Sequence, residues 1–249
     1  MSQFLNRRNF LKAALATGAL AIAAESAILE PNHPRLVRIE VPLARLPEAW
    51  DGIRIAQMSD FHYDEHFSVV SIRKAIDIVN GLGADLVVLT GDFVTVPLFK
   101  KYLGGSKRAA RFIEPCANLL AQVHARRGVL AILGNHDAGS DPHRITEALQ
   151  AKGITVLRNR AIPFEEGEQR LWLAGLDDVL ERQSDLELTL RPVPRTEPVV
   201  LLAHEPDVAN AVSHYPVDLQ LSGHSHGGQV RFPLIGAPYL PPLGRKYPT

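Results

Sequence analysis

The chain has 249 residues, of which 46% are hydrophobic and 22% are charged, and this length suits one α/β domain with a substantial core. Lysine plus arginine and aspartate plus glutamate each number 27, so there is no basic field for nucleic acid, and no nucleic-acid partner is expected. The single cysteine, Cys116, excludes an intramolecular disulfide and any multi-thiolate metal site. A metal here must therefore be held by nitrogen and oxygen.

Residues 1–27 are predicted to be a targeting segment, and residues 28–249 a separate domain. Arg7, Arg8 and Lys12 precede a short run rich in alanine and leucine, a pattern typical of a secretory signal. The run is too short and too rich in alanine for a comfortable membrane span. The alternative is a buried or amphipathic N-terminal helix, but no polar face follows Lys12.

The paired arginines, Arg7 and Arg8, followed by Phe-Leu-Lys, resemble the twin-arginine export signal, an address that the export machinery reads. This resemblance predicts export across the cytoplasmic membrane to the periplasm or cell envelope. The segment is then either cleaved or retained as an N-terminal tether.

Strand-like and helix-like segments alternate through the first part of the domain. Strands are predicted at 37–41, 53–58, 85–89 and 128–133, and helices at 69–82, about 108–125 and 144–152. Apolar runs of this length separated by helices indicate buried parallel strands. From residue 154 onward the strand-like runs come closer together, at 154–157, 171–174, 199–203, 219–222 and 229–232. They predict a second sheet with more hairpins, so the expected fold is α/β: a two-sheet β-sandwich flanked by helices.

Potential metal ligands follow five of these strands, where strand ends converge on one crevice in open α/β sheets. In chain order they are Asp60 and His62, Asp92, Asn135 and His136, His204, and finally His224 and His226. Each alone has an ordinary explanation, such as a helix cap, a turn or a buried histidine. Together they include five of the ten histidines. Carboxylate, amide and imidazole ligands suit manganese, iron or zinc.

These motifs resemble the five ordered signature blocks of the calcineurin-like metallophosphoesterase family. The blocks are Asp60-x-His62, Gly91-Asp92, Gly134-Asn135-His136-Asp137, His204 and Gly223-His224-x-His226. With the twin-arginine-like start, the chain resembles the exported bacterial phosphodiesterase branch of that family. The resemblance implies a metallo-dependent phosphatase-like fold. Relatives usually continue with further strands, so the second sheet is expected to lack C-terminal strands and to have an exposed edge.

The resemblance also implies two metal ions, of manganese, iron or zinc, and a role for each matching residue. One ion would be held by Asp60, His62 and His226, the other by Asn135, His204 and His224, and Asp92 would bridge them. His136 would stay free of metal, placed to protonate the leaving oxygen or to stabilise the transition state. Asp137 either orients His136 or caps the helix near Pro142, and the cap is favoured.

The implied activity is hydrolysis of a phosphodiester or phosphomonoester by metal-bound hydroxide. The alternative is a non-catalytic metal-dependent binding or regulatory protein of the same fold; a nuclease is disfavoured by the neutral charge. The apolar segment 93–103 either joins the core or meets a lipid surface, which makes a lipid- or envelope-derived phosphoester a candidate substrate. A basic stretch, 100–111, is either a solvated face or steers an anionic substrate.

Overall fold

The computed structural model describes residues 6–24, 32–96, 109–228 and 236–248. The chain divides into two units, Met1–Val37 and Arg38–Thr249. In the first unit, helix α1 spans Arg7–Ala24. Within the described ranges, none of the helices combines the length and the apolar character needed to cross a bilayer.

The second unit carries two four-stranded sheets and the helices that flank them. In chain order its described elements are β1 (Ile55–Met58), α2 (Val69–Gly81), β2 (Leu86–Leu89), α3 (Ile113–Leu120), β3 (Val129–Ala131), α4 (Asn135–Ala138), α5 (Pro142–Gln150), β4 (Thr155–Val156), β5 (Arg160–Glu166), β6 (Gln169–Gly175), α6 (Leu186–Leu190), β7 (Val199–Leu202), α7 (Ala209–Val212) and β8 (Leu219–Leu221). Short 3-10 helices lie at Glu48–Trp50 and Pro206–Val208.

The first sheet has the order β1-β2-β3-β4 and is parallel throughout. The second has the order β5-β6-β7-β8, in which β5 and β6 form an antiparallel hairpin and β6, β7 and β8 are parallel. The predicted two-sheet α/β fold is confirmed. Two details of the prediction were wrong. The segment 154–157 belongs to the first sheet, because β4 follows helix α5 and returns parallel to β3 as a crossover unit does. The hairpin strand β5 was not predicted.

The alternation of side chains along β2 explains why the strand is apolar on both faces. Leu86 and Val88 point into the layer between the sheets, while Val87 and Leu89 pack under the helices. On the side of the second sheet, the residues that pack into this layer are Leu171, Leu173, Val200 and Leu202. The sandwich therefore buries both faces of the first sheet.

Other sequence predictions differ from the structure or fall outside it. The predicted strand 37–41 is wrong: these residues join no sheet among the described residues, and Val37 and Ile39 are 74% and 78% exposed. A segment with alternating apolar residues forms a strand only where its backbone can pair with the edge of a neighbouring strand. The predicted helix 108–125 is interrupted by a turn at 111–112, after which helix α3 spans Ile113–Leu120. The predicted strand 229–232 and residues 97–108 of the apolar and basic segments lie outside the described residues.

Candidate metal centre

The loops that follow β1 and β2 run side by side past the ends of their strands. The Asp60 amide donates to the Gly91 carbonyl at 3.0 Å, and the His62 amide donates to the Asp92 carbonyl at 2.9 Å. Parallel pairing thus continues beyond the regular strands. It brings Asp60, His62 and Asp92 to one edge of the first sheet.

Close backbone approach at this edge requires glycine at two positions. A Cβ on Gly134 would lie 2.3 Å from Asp92 Oδ1 and 2.6 Å from Asp92 N. A Cβ on Gly91, whose φ is +97°, would lie 2.5 Å from Gly134 N. The loops after β2 and β3 therefore touch through their backbones, which places Asn135 and His136 beside Asp92.

The second sheet delivers its histidines to the same place. The His204 Nδ1 lies 2.6 Å from the Thr90 carbonyl, and the His224 amide donates to both carboxylate oxygens of Asp60 at 3.0 Å. A third link is the Gln57 side chain, whose Nε2 donates to the Ser222 carbonyl at 2.7 Å. The strand ends of both sheets thus meet along one seam.

The structure gathers the predicted ligands into two adjoining groups. Within each group the potential ligand atoms all lie within 4.8 Å of one another: Asp60, His62 and His226 in one, and Asp92, His204 and His224 in the other. A third set of the same kind, His62, Asp92 and His136, connects them. The two groups correspond to the two ligand sets that the family resemblance implies, apart from Asn135.

The spacing of the donor atoms suits shared cations. His62 Nε2 lies 3.1 Å from His226 Nε2 and 3.5 Å from Asp92 Oδ2. His226 Nε2 lies 3.4 Å from Asp60 Oδ1, and His204 Nε2 lies 3.3 Å from Asp92 Oδ2. Donor atoms each about 2.0–2.2 Å from one ion lie roughly 3 Å apart. The observed separations therefore fit metal coordination.

Two buried polar atoms of the centre lack hydrogen-bond partners among the described residues. They are Asn135 Oδ1, on the first residue of α4, and, in the neutral ring, His204 Nε2, which pairs with Asp92 Oδ2 only when it is protonated. A buried polar atom without a partner costs about 1–3 kcal/mol, so a ligand that satisfies both is expected. A divalent cation does so, because amide oxygen and imidazole nitrogen are ordinary ligands of such ions. The residues present thus fit a metal.

The backbone of the centre is held in an uncommon conformation. Five predicted ligands have positive φ angles: Asp60 (55°), His62 (39°), Asp92 (57°), His224 (67°) and His226 (51°). Such angles are rare for residues other than glycine and cost free energy. The loops bend sharply after their strands, and this bend turns the side chains toward one another.

Burial and mutual attraction set the charges of the centre. Burial lowers the pKa of His62 to about 4 and also lowers the pKa of His224. These rings therefore stay neutral and keep a lone pair for a cation. Asp92 and His204 are each 1% exposed. Burial opposes charge on both, but their attraction lowers the pKa of Asp92 and raises the pKa of His204.

His136 lies beside the predicted ligands with a different hydrogen-bond pattern. Its amide donates to Asp92 Oδ1 at 2.9 Å, and its ring is 4.8 Å from the His62 ring in an edge-on arrangement. The Val96 amide donates to His136 Nδ1 at 3.0 Å. Because Nδ1 accepts this bond, Nε2 is the ring nitrogen that carries the proton in the neutral form.

Asp137 does not cap the helix near Pro142, so that favoured prediction was wrong; its carboxyl group accepts hydrogen bonds from backbone amides and not from the His136 ring. It is fully buried. Its Oδ1 accepts from the amides of Phe93 and Val94 at 2.9 and 3.2 Å, and its Oδ2 accepts from Gly134 at 3.0 Å. Burial raises its pKa to about 8. Asp137 instead joins the loops after β2 and β3, while Asp141 caps α5.

Sequence reasoning missed the groups that hold the histidine rings. Thr95 Oγ1 lies 3.1 Å from His62 Nδ1, and the Pro242 carbonyl lies 2.7 Å from His224 Nε2. Thr95 comes three residues after Asp92, close enough to have been considered. A backbone carbonyl gives no signal in a sequence, so the partner of His224 could not be foreseen.

Comparison with known proteins gives a consistent result. The sequence profile of the family described as Calcineurin-like phosphoesterase matches residues 53–228, a range that contains every predicted site residue. The chain is 34% identical to the uncharacterized metallophosphoesterase YkuE of Bacillus subtilis (strain 168), over 98% of this chain and 84% of that protein. It is 32% identical to the phosphodiesterase YaeI of Escherichia coli (strain K12), over 98% and 86%. It is 25% identical to the UDP-2,3-diacylglucosamine pyrophosphatase LpxG of Chlamydia trachomatis, over 82% and 73%.

Proposed function

Because the chain belongs to the calcineurin-like phosphoesterase family and is a phosphoester hydrolase, we propose that it works through a centre of two ions of manganese, iron or zinc. The observation that supports this proposal is the convergence of the predicted ligands from five strand ends, with Asn135 Oδ1 buried and lacking a hydrogen-bond partner among the described residues. One ion belongs to Asp60, His62 and His226, and the other to Asn135, His204 and His224. Asp92 lies between the two groups and faces both.

The bound ions would place positive charge on the phosphate oxygens and lower the pKa of the attacking water. The protein positions these ions through loops whose backbones are fixed to one another, so little rearrangement is needed when substrate binds. Asn135 contributes a neutral oxygen, which leaves its ion more strongly charged than a further carboxylate would.

His136 supplies a hydrogen-bond donor at the edge of the centre. With Nδ1 accepting from the Val96 amide, its proton sits on Nε2. In the proposed reaction Nε2–H donates to the leaving oxygen or to a phosphate oxygen. Such a donor contributes on the order of 10²–10⁴-fold to the rate.

The substrate reaches the centre from the side of the exposed ring of His226, while Asp60, His62 and His136 are half-buried. We take the substrate class to be a phosphoester derived from lipid or from the cell envelope. The name of the LpxG relative supports this choice, since it specifies a diacylated sugar nucleotide.

Hydrolysis of bis(p-nitrophenyl) phosphate by the purified protein, depleted of metal and reloaded with Mn²⁺, tests the activity. Asp92→Asn is expected to lower the rate by on the order of a hundredfold or more, since loss of a metal position removes several kcal/mol of transition-state stabilisation. Asp51→Asn, at an exposed turn, is the matched control and should retain the rate.

The same experiment separates the competing functions. A binding or regulatory protein of this fold would take up Mn²⁺ in stoichiometric amount and release no p-nitrophenol, and that result would refute the proposed catalysis by the two-ion centre. A nuclease would degrade DNA faster than the aryl ester. Rates on p-nitrophenyl phosphate measured alongside distinguish monoester from diester preference.

We also propose that residues 1–27 direct export by the twin-arginine machinery, to the periplasm or cell envelope. The proposal is supported by Arg7 and Arg8 at the start of an alanine-rich helix, α1. Because that machinery carries folded proteins, the metals would be inserted before transport. Fractionation of cells that express the Arg7→Lys, Arg8→Lys double variant tests this, with Arg38→Lys as control. Normal export of the double variant would contradict it.

A further inference from the structure

Three predicted ligand histidines have their second ring nitrogen against an oxygen atom. The pairs are His204 Nδ1 with the Thr90 carbonyl at 2.6 Å, His224 Nε2 with the Pro242 carbonyl at 2.7 Å, and His62 Nδ1 with Thr95 Oγ1 at 3.1 Å. A carbonyl oxygen can only accept, so His204 and His224 carry their protons on these nitrogens. When the ring is neutral, its opposite nitrogen then presents a lone pair to a cation.

His136 shows the reverse arrangement. Its second nitrogen, Nδ1, accepts from a backbone amide instead of donating to an oxygen. The two partners that set these different hydrogen-bond patterns are adjacent in the chain. Thr95 contacts His62, and Val96 contacts His136. The two rings lie edge-on with centroids 4.8 Å apart.

We propose that Thr95 is a positioning residue, which holds His62 as its Nδ1–H form for cation binding while the adjacent Val96 amide holds His136 as its Nε2–H form. One two-residue segment thereby gives two touching imidazoles opposite roles, a ligand and a donor. The inference rests on the proposed metal centre and adds to it the means by which these two rings are distinguished.

The segment is anchored firmly enough for this task. Asp137 accepts the amides of Phe93 and Val94, and the Tyr63 amide donates to the Phe93 carbonyl at 2.9 Å. Thr95 itself is exposed, so its hydroxyl can be removed without opening a cavity in the core. Unlike the two carbonyl partners, it is a side chain that substitution can change.

The test compares the full-length wild-type protein with Thr95→Val, which keeps the shape and removes the hydroxyl. Zn²⁺ titration of metal-depleted protein is expected to show affinity about tenfold weaker in the variant, the lower end of the effect of removing a partner that orients a ligand. In Zn²⁺-loaded protein labelled with ¹⁵N-histidine, the His62 Nδ1–H signal should be sharp in the wild type. It should broaden through exchange with water in Thr95→Val.

Rescue and control variants make the result specific. Thr95→Ser should restore both the affinity and the signal, and Thr155→Val, at an exposed threonine on the edge strand β4, should change neither. Thr95→Ala must reproduce the loss, since a loss with valine alone would indicate crowding and overturn the assignment. Unchanged affinity and an unchanged His62 signal in Thr95→Val would also overturn it, as would a proton on Nδ1 of His136. If the wild type itself binds no Zn²⁺, the proposed metal centre fails first.

Discussion

Replacing Gly134 by alanine tests the close backbone approach on which the centre depends. Gly134 has φ −100° and ψ −179°, a conformation that alanine adopts freely, so any effect must come from contacts. The added Cβ would meet Asp92 N at 2.6 Å, whereas ordinary contact begins at 3.4 Å. Because Asp92 N is a backbone atom, the loop after β2 must move away by about the difference between these two distances. Asp92 moves with the loop.

Overpacking of this kind costs typically about 1–3 kcal/mol. For a chain of this size each kcal/mol lowers Tm by roughly 2–4 °C, so thermal unfolding of metal-free protein should show a decrease of about 2–12 °C. Mn²⁺ affinity should fall as well, since Asp92 faces both ligand groups.

Gly81→Ala is the matched control, and it is expected to change the free energy of unfolding in the opposite direction. Gly81 is the last residue of α2 and has no atom within 4 Å of its added Cβ, so alanine there is expected to stabilise by roughly 0.5–1 kcal/mol. If Gly134→Ala keeps both the wild-type Tm and the wild-type Mn²⁺ affinity, the inferred loop contact is incorrect.

Three further outcomes are expected. At one hundred times Kd a bound ion stabilises the fold by about 2.7 kcal/mol, so chelation should lower Tm by roughly 5–11 °C; an unchanged Tm would argue against the metal centre. His136→Ala should slow cleavage of an alkyl phosphodiester by about 10²–10⁴-fold and of the p-nitrophenyl ester less, because nitrophenolate leaves without a proton; equal losses would assign His136 to transition-state stabilisation. Burial raises the pKa of the Cys116 thiol, so the unfolded chain loses that proton first. The free energy of unfolding should therefore fall above about pH 8.5, by up to about 1.4 kcal/mol per pH unit, and chemical denaturation of Cys116→Ala should lack this slope.

The strands that carry the site were predictable because their sequences admit few alternatives. The run 86–89 is apolar at every position and must be buried on both faces. A polar residue directly after such a strand lies at the sheet edge, so the convergence of Asp92 with Asp60 followed from strand order. The position of His136 near them followed in the same way, although its tautomer did not.

What could not be predicted depends on partners that leave no mark in the local sequence. Strand β4 has only two residues, and its sheet is decided by the path of α5. Residues 37–41 alternate like a strand, yet alternation does not specify an edge to pair with. The role of Asp137 was missed because a buried carboxylate that collects three amides looks, in sequence, like any aspartate at the start of a helix.

Because the metal centre lies where the two sheets meet, bound cations would affect the stability of the fold as well as its chemistry. Asp60 and Asp92 come from one layer and His204 and His224 from the other, while the layers otherwise meet through side chains that pack without fixed direction. A shift of one layer by a single strand residue, about 3.3 Å, would separate every such pair. Bound metal ions would therefore fix the position of one sheet relative to the other. Amide hydrogens in β1 and β8 should then exchange with solvent more slowly in the metal-bound protein than in the metal-free protein.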